Sequence, residues 1–76
     1  MTTSYEPEYK KLLKALKEAR KAAGMSQQDV ANELGEHQSF VSKYENGERR
    51  LDAIELAKIA IVLGTNYDKL LKKALS

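Results

Sequence analysis

Cysteine is absent from this 76-residue sequence, and histidine and proline each occur once. Without cysteine the chain can form neither a disulfide framework nor a thiolate metal site, which fits a protein kept in a reducing cytoplasm. The one histidine, His37, has no plausible partner ligands for a metal ion. We therefore expect no metal and no cofactor.

Long hydrophobic runs are also missing. The longest, IAIVL at residues 59–63, is far shorter than the roughly 20 residues that a transmembrane helix needs. The N-terminus has no apolar stretch of the kind found in signal peptides. The sequence thus predicts a cytoplasmic protein with no membrane partner.

Catalytic patterns are missing as well. The sequence contains no Ser/His/Asp set, no carboxylates paired for acid–base chemistry and no glycine-rich phosphate loop. A chain of 76 residues folds as one small domain, which leaves no room for a deep substrate cleft. We expect a single domain over residues 1–76 that is not an enzyme, and no small-molecule effector is evident.

Charge is present but nearly balanced. The net charge of +2 is weak evidence for any particular partner. Its distribution is uneven, because residues 10–21 hold six lysines or arginines and one glutamate. A basic run of this kind is usually the solvated face of a helix, and we adopt that interpretation for most of these lysines.

Apolar residues recur at helical spacing along most of the chain, whereas alternating strand patterns are nearly absent. Signals for helix starts are recognisable: Ser26 with Asp29 forms a capping box, and Asp52 can cap a later helix. Glycines stand at the expected helix ends. The sequence predicts an all-α domain of five helices, at about residues 7–23, 27–34, 38–45, 53–63 and 67–75.

The segment 27–46 has the spacing of two helices that cross at a steep angle. Ala31 is small enough to let the next helix approach, and Gly35 permits the positive φ that a three-residue turn needs. The apolar residues expected to fill the wedge between the helices are Val30, Leu34, Val41 and Tyr44. The polar residues left facing outward on the second helix are Gln38, Ser39, Ser42 and Lys43. This arrangement is typical of a helix-turn-helix, whose second helix enters the major groove of DNA.

Several short motifs recur at a characteristic spacing. They are the SQ pair at 26–27, the S.VSK.E.G pattern at 39–47 and the IA..LG pattern at 59–64, together with the register of small and apolar residues in the second helix. With these motifs, the run from Leu16 to Gly64 resembles the phage repressor/Cro-type helix-turn-helix family, the xenobiotic-response-element (XRE) group of bacterial transcription regulators. The similarity covers roughly residues 12–71. The resemblance implies a five-helix, lambda-repressor-like DNA-binding domain.

The resemblance also implies a role for each matching polar residue. The residues expected to read base edges are Gln38, Ser39, Ser42 and Lys43. The residues expected to contact backbone phosphates are Ser26, Gln27, Asn46, Gly47, Arg49 and Arg50. For Lys43 a phosphate contact is an equal alternative. Arg20 and Glu45 match an internal salt bridge, so Arg20 is expected to be structural rather than DNA-binding.

Glu36 and His37 depart from the family pattern, and Phe40 has two possible roles. Glu36 stands where the family usually has an apolar residue, and it would put a carboxylate near the expected phosphate path. His37 replaces the common Ser or Thr cap of the third helix. Phe40 could contact a thymine methyl group or, as we prefer, pack on the side of helix one.

One module of this size usually binds specific DNA as a pair, so we expect a homodimer on a pseudo-palindromic operator. The candidate residues of an apolar dimer interface are Ile54, Ile61, Tyr67, Leu71 and Leu75. Alternatively, the N-terminal helix, with Tyr5 and Tyr9, covers part of this patch.

The predicted function is that of a sequence-specific regulator of transcription that binds double-stranded DNA, with repression as the expected mode. One alternative is an antitoxin-type autorepressor, whose C-terminal apolar residues would bind a protein toxin. A second alternative is a protein-interaction module that does not bind DNA. The polar outward face of the third helix argues against that module, and Glu36 mildly favours it.

Overall fold

Five α-helices make up the fold of the computed structural model, which describes residues 6–76. The helices are α1 (Glu6–Ala22), α2 (Gln27–Leu34), α3 (Gln38–Glu45), α4 (Ala53–Val62) and α5 (Tyr67–Leu75). The predicted all-α fold is confirmed. Three of the expected helix limits differ from the observed ones, each by one residue: α1 begins and ends one residue earlier, and α4 ends one residue earlier. Tyr5 lies outside the described residues.

Side-chain caps define where α2 and α4 begin. The Ser26 hydroxyl accepts from the Asp29 amide at 3.0 Å, and the Asp29 carboxylate accepts from the Ser26 amide at 2.9 Å. The same reciprocal pair joins Asp52 to Glu55 at the start of α4. These caps satisfy amides that have no partner inside the helix. The capping predicted from the sequence therefore determines where these helices start.

A common backbone motif ends each of the first four helices. At the end of α2, Gly35 donates to the Asn32 carbonyl and Glu36 donates to the Ala31 carbonyl. Gly35 has a φ of 70°, the left-handed conformation that glycine adopts without steric cost. The chain therefore changes direction within the three residues 35–37, and α3 begins directly after this turn and packs across α2.

The hydrophobic core lies where α1 packs on α5 and α3, and α2 packs on α3 and α4. The largest completely buried side chains are Tyr44, Leu16, Ile59, Val30 and Val41. The apolar residues at helical spacing in and just after α4 are all buried, namely Leu56, Ile59, Ala60 and Leu63. Leu34, expected in the wedge between α2 and α3, is only half-buried. Ala23, which follows the last residue of α1, is exposed.

No helix within residues 6–76 combines the length and the apolar character needed to cross a membrane.

The hydroxyl group of Tyr44 is a weak point in this core. Its oxygen is buried and has no hydrogen-bond partner among residues 6–76, and burial raises the pKa of the phenol. A buried polar group without a partner costs free energy that an apolar group of the same shape does not. The ring is therefore stabilising and its hydroxyl is not.

We expect Tyr44→Phe to raise the free energy of unfolding by about 1 kcal/mol, because the orphaned hydroxyl is removed and the ring is kept. Urea denaturation measures this change. Tyr9→Phe is the matched control with the opposite sign, since the Tyr9 hydroxyl accepts from the Leu51 amide at 3.2 Å. A Tyr44→Phe variant less stable than the wild type would contradict the assignment.

Candidate DNA-binding surface

The helix-turn-helix is formed by α2, the turn at residues 35–37, and α3. Val41 and Tyr44 anchor α3, because both are fully buried against the core. The side chains on the opposite side of α3 reach solvent. Three of the predicted base-reading residues, Gln38, Ser39 and Lys43, are exposed, and the fourth, Ser42, is half-buried. His37 is the N-cap of α3 and makes no side-chain capping bond.

A short, shielded ion pair ties α1 to the end of α3. The Arg20 guanidinium donates to both carboxylate oxygens of Glu45, at 2.7 and 3.2 Å, and to the Met25 carbonyl at 2.9 Å. The side chains of Arg20 and Glu45 are only 10% and 2% exposed. The hydrogen bond to Glu45 is the main reason that the pKa of Arg20 is raised. Arg20 thus points inward and fixes α3 against α1.

This ion pair continues as a chain of hydrogen bonds to the surface of α3. The Gln27 amide nitrogen donates to Glu45 at 3.0 Å, and the Gln27 amide oxygen accepts from the Gln38 amide nitrogen at 2.6 Å. Both hydrogen-bonding groups of the Gln27 amide are therefore occupied within the protein. The link orients Gln38, the first residue of α3, through contacts that begin in the core.

Ser26, Asn46 and Gly47, the other predicted phosphate contacts in the two turns, differ in their local environments. The Ser26 hydroxyl is engaged in capping α2, and the neighbouring Asp29 carboxylate, whose pKa is lowered by the hydrogen bond from the Ser26 backbone amide, adds negative charge at that helix end. Asn46 and Gly47 are exposed at the end of α3. Gly47 has a φ of 81°, and Leu13 of α1 lies 3.6 Å from the position that a Cβ atom would take there.

The two predicted phosphate-binding arginines are both held by other residues. Arg49 donates to the two carboxylate oxygens of Glu55, at 2.9 and 2.7 Å, which lowers the pKa of Glu55. The Arg50 guanidinium lies over the Tyr9 ring, 4.1 Å from its centroid. Arg49 would have to share or exchange its partner to bind a phosphate, whereas Arg50 is positioned by a ring face.

Phe40 is half-buried against the hydrophobic core. It lines a small pocket together with Leu34 of α2 and Ile59 of α4, and the expected packing on the side of helix one stays a prediction. The Arg49 guanidinium covers the ring at 4.9 Å from its centroid. The exposed Glu36 lines the same pocket. The pKa of Arg49 is raised mainly by its hydrogen bond to Glu55, and the negative charge of Glu36 raises it further. The Glu36 carboxylate, which departs from the family pattern, is therefore one of several acidic and aromatic groups around Arg49.

Four of the five apolar residues considered for a dimer interface fall in two regions. Ile54 and Ile61 lie on α4 and are 66% and 77% exposed. Leu71 and Leu75 border a shallow depression between α5 and α1 that Tyr9 also lines. Leu71 is half-buried there, so α1 covers part of the patch, as the alternative interpretation proposed. Tyr67 is 38% exposed.

The comparisons with known proteins agree with this geometry. The family model described as "Helix-turn-helix" matches residues 16–70, which is most of the chain. The chain belongs to the helix-turn-helix family. It is also similar to a solved structure described as an XRE-family like protein from Pseudomonas syringae pv. tomato str. DC3000, with 48% identity and a TM-score of 0.90. That alignment covers 96% of this chain and 89% of the other. No curated protein matches the chain at a significant level.

Membership of the helix-turn-helix family and the XRE-family neighbour make this protein a DNA-binding regulator. The resemblance to the Cro-type XRE group is thereby confirmed. Regulators of this kind are typically DNA-binding proteins without enzymatic activity.

Three contacts of this helix-turn-helix protein were not anticipated from its sequence. They are the bond between Gln27 and Gln38, the Glu55 partner of Arg49, and the stacking of Arg50 on Tyr9. The Glu55 position had a local signal, since it is the third residue after the Asp52 cap. The other two join residues from different helices and loops, and no local pattern points to them.

Proposed function

We propose that the protein is a sequence-specific transcription repressor that binds a pseudo-palindromic operator as a homodimer. In this proposal α3 lies in the major groove, and Gln38, Ser39, Ser42 and Lys43 contact base edges. Asn46, Gly47 and the turn before α2 contact the flanking phosphates. In this proposal the protein represses transcription by occupying the operator.

The observation that carries this proposal is the hydrogen-bonded chain from Arg20 through Glu45 and Gln27 to Gln38. A polar side chain on a solvent-facing helix normally samples several rotamers, and fixing it costs entropy. Here the bond to Gln27 already restricts the Gln38 side chain in the folded protein, so less entropy is lost when DNA binds. An exposed glutamine held in one orientation contributes little to the stability of the fold, but it increases affinity for a ligand that fits that orientation.

The hydrogen-bonding capacity left on Gln38 suits adenine. Its amide group has two N–H donors and one carbonyl acceptor, and one N–H donates to Gln27. The other N–H and the carbonyl oxygen form the pair that bonds adenine at N7 and N6 in the major groove. We therefore propose that Gln38 reads an A·T base pair.

Selection of binding duplexes from a random pool, followed by affinity measurements at several salt concentrations, tests the proposal. The expected result is an inverted repeat whose half-site centres lie about 34–36 Å apart or a multiple of this, with log K falling linearly with log[salt]. Enrichment of no sequence, together with weak and salt-independent binding, would contradict the function.

The proposed dimer surface is centred on Ile54 and Ile61. They stand seven residues apart on α4, which places them on one face of the helix. Isolated exposed apolar residues are common, but two isoleucines exposed to this extent on one face of a small domain favour a contact. A two-fold axis through this face would bury the same two isoleucines of both protomers.

We expect Ile61→Lys to weaken dimerisation by about 100-fold or more, because each dimer would lose two buried isoleucines and burying one is worth about 1.5–3 kcal/mol. Sedimentation equilibrium measures the monomer–dimer constant. Leu75→Lys is the matched control, because Leu75 is 73% exposed but lies beside α1 rather than on α4. An unchanged constant for Ile61→Lys would exclude α4 as the interface.

A further inference from the structure

A cleft between α1 and the loop that follows α3 lies beside the proposed DNA-binding surface. Its volume is about 410 Å³. One wall consists of Lys10, Lys14 and Lys17 of α1, and the other includes Asn46 and Gly47. The cleft therefore begins at two residues already expected to contact phosphate and continues along α1.

The charge of this cleft is strongly positive. Its charged lining residues are Lys10, Lys14, Lys17, Arg50 and Glu45. Glu45 is turned toward Arg20, and its side chain is only 2% exposed, so its negative charge is compensated inside the domain. The three lysines are exposed, and among the described side chains none of them forms an ion pair. Four cationic groups are thus directed to one concave region.

The arrangement differs from an ordinary solvated helix face. Positions 10, 14 and 17 lie on one side of α1 and span about 10 Å along its axis. Each DNA strand presents a regular row of phosphates, so a row of lysines can face more than one phosphate. Tyr9 holds the opposite wall in place, because its hydroxyl accepts from Leu51 and its ring lies under Arg50.

We propose that this α1 cleft, formed by Lys10, Lys14 and Lys17 with Arg50, binds the phosphate backbone of the duplex next to the sequence-reading helix. The cleft extends the contact beyond the helix-turn-helix and adds sequence-independent affinity. Its occupant is double-stranded DNA because the cleft is continuous with the turn at residues 46–47, and because its charge complements a regular row of phosphates. The inference rests on the proposed function and adds a binding surface to it.

The salt dependence of DNA binding tests this inference. The probe is a mixed-sequence duplex of about 30 base pairs, roughly three helical turns, titrated between about 50 and 200 mM salt by fluorescence anisotropy. In the variant Lys10→Gln/Lys14→Gln/Lys17→Gln, the slope of log K against log[salt] is expected to become less negative by about 2 to 3 for each bound protomer, because each phosphate contact contributes about −0.9.

Two control variants separate site-specific contact from net charge. Lys69→Gln/Lys72→Gln/Lys73→Gln removes the same charge from α5, whose lysines do not line the cleft, and should leave the slope close to that of the wild type. Lys10→Arg/Lys14→Arg/Lys17→Arg keeps the charge in the cleft and should retain the wild-type slope. Circular dichroism of each variant verifies that the helices are intact.

The possible outcomes are distinguishable. A steep wild-type slope that is reduced only by the α1 glutamine variant supports the α1 cleft. Equal slopes for the wild type and that variant overturn the cleft and leave the proposed function standing, as do equal reductions by the α1 and α5 variants. A wild-type protein that binds the duplex without salt dependence overturns the function itself. Binding of an acidic peptide through these lysines, without any loss of DNA affinity in the α1 variant, also overturns the cleft.

Discussion

Replacing Glu45 by alanine is expected to lower the free energy of unfolding by about 3–5 kcal/mol, because Arg20 would keep its charge in a shielded site without a partner. The side chain of Arg20 is 10% exposed, so water compensates little of this loss. Small domains are stable by only about 5–15 kcal/mol, so the variant would be partly unfolded near its working temperature. Urea denaturation and thermal melting measure the effect.

Two further variants show whether the unpaired charge is the cause. Glu33→Ala makes the same chemical change at an exposed position of α2 and should have little effect. Arg20→Met/Glu45→Leu removes both charges and should recover much of the lost stability, since apolar replacement of a buried pair is often tolerated. A double variant as unstable as Glu45→Ala would show that the hydrogen bonds, and not the orphaned charge, are what stability requires.

Replacing Gln38 by alanine is expected to relax base preference at one position of each half-site by about 1–3 kcal/mol, or roughly 5- to 150-fold. The loss concerns discrimination, since phosphate contacts elsewhere keep general affinity. The measurement is the affinity for duplexes that carry each of the four base pairs at every operator position. If all four weaken equally, Gln38 contacts the backbone instead of a base.

The partner Gln27 provides an independent check on the same mechanism. Gln27→Ala removes the bond that orients Gln38, so part of the preference at the same base position should be lost. Gln28→Ala is the control, because Gln28 bonds Asn32 within α2 and does not contact Gln38. Loss of preference at a different position after Gln27→Ala would contradict the proposed link.

Local signals carried most of the fold. Capping residues such as Ser26 and Asp52 act within one helical turn, and Gly35 acts through its own φ angle, so their effects could be read from neighbouring residues. The outward face of α3 followed in the same way from the burial of Val41 and Tyr44. The one-residue errors at the limits of α1 and α4 arose at helix ends, where one residue more or less changes the free energy of folding only slightly.

Contacts between residues far apart in the chain were harder to predict from the sequence, with one exception. The pairing of Arg20 with Glu45 was expected because both positions matched a family pattern, whereas no pattern described the environment of Phe40. The sequence could not reveal that Arg49 covers the Phe40 ring and binds Glu55, because those contacts depend on how α4 is oriented on α3.

The sequence by itself determined that this protein is a five-helix domain with a helix-turn-helix, because periodicity, caps and turn residues act over a few neighbours. The tertiary structure alone decided how its charges are used. It joined Gln38 to a core ion pair, engaged Arg49 with Glu55, and turned the lysines of α1 from a solvated helix face into one wall of a cleft. The physical reason is that charge acts through space, so its meaning depends on partners that are distant in the chain.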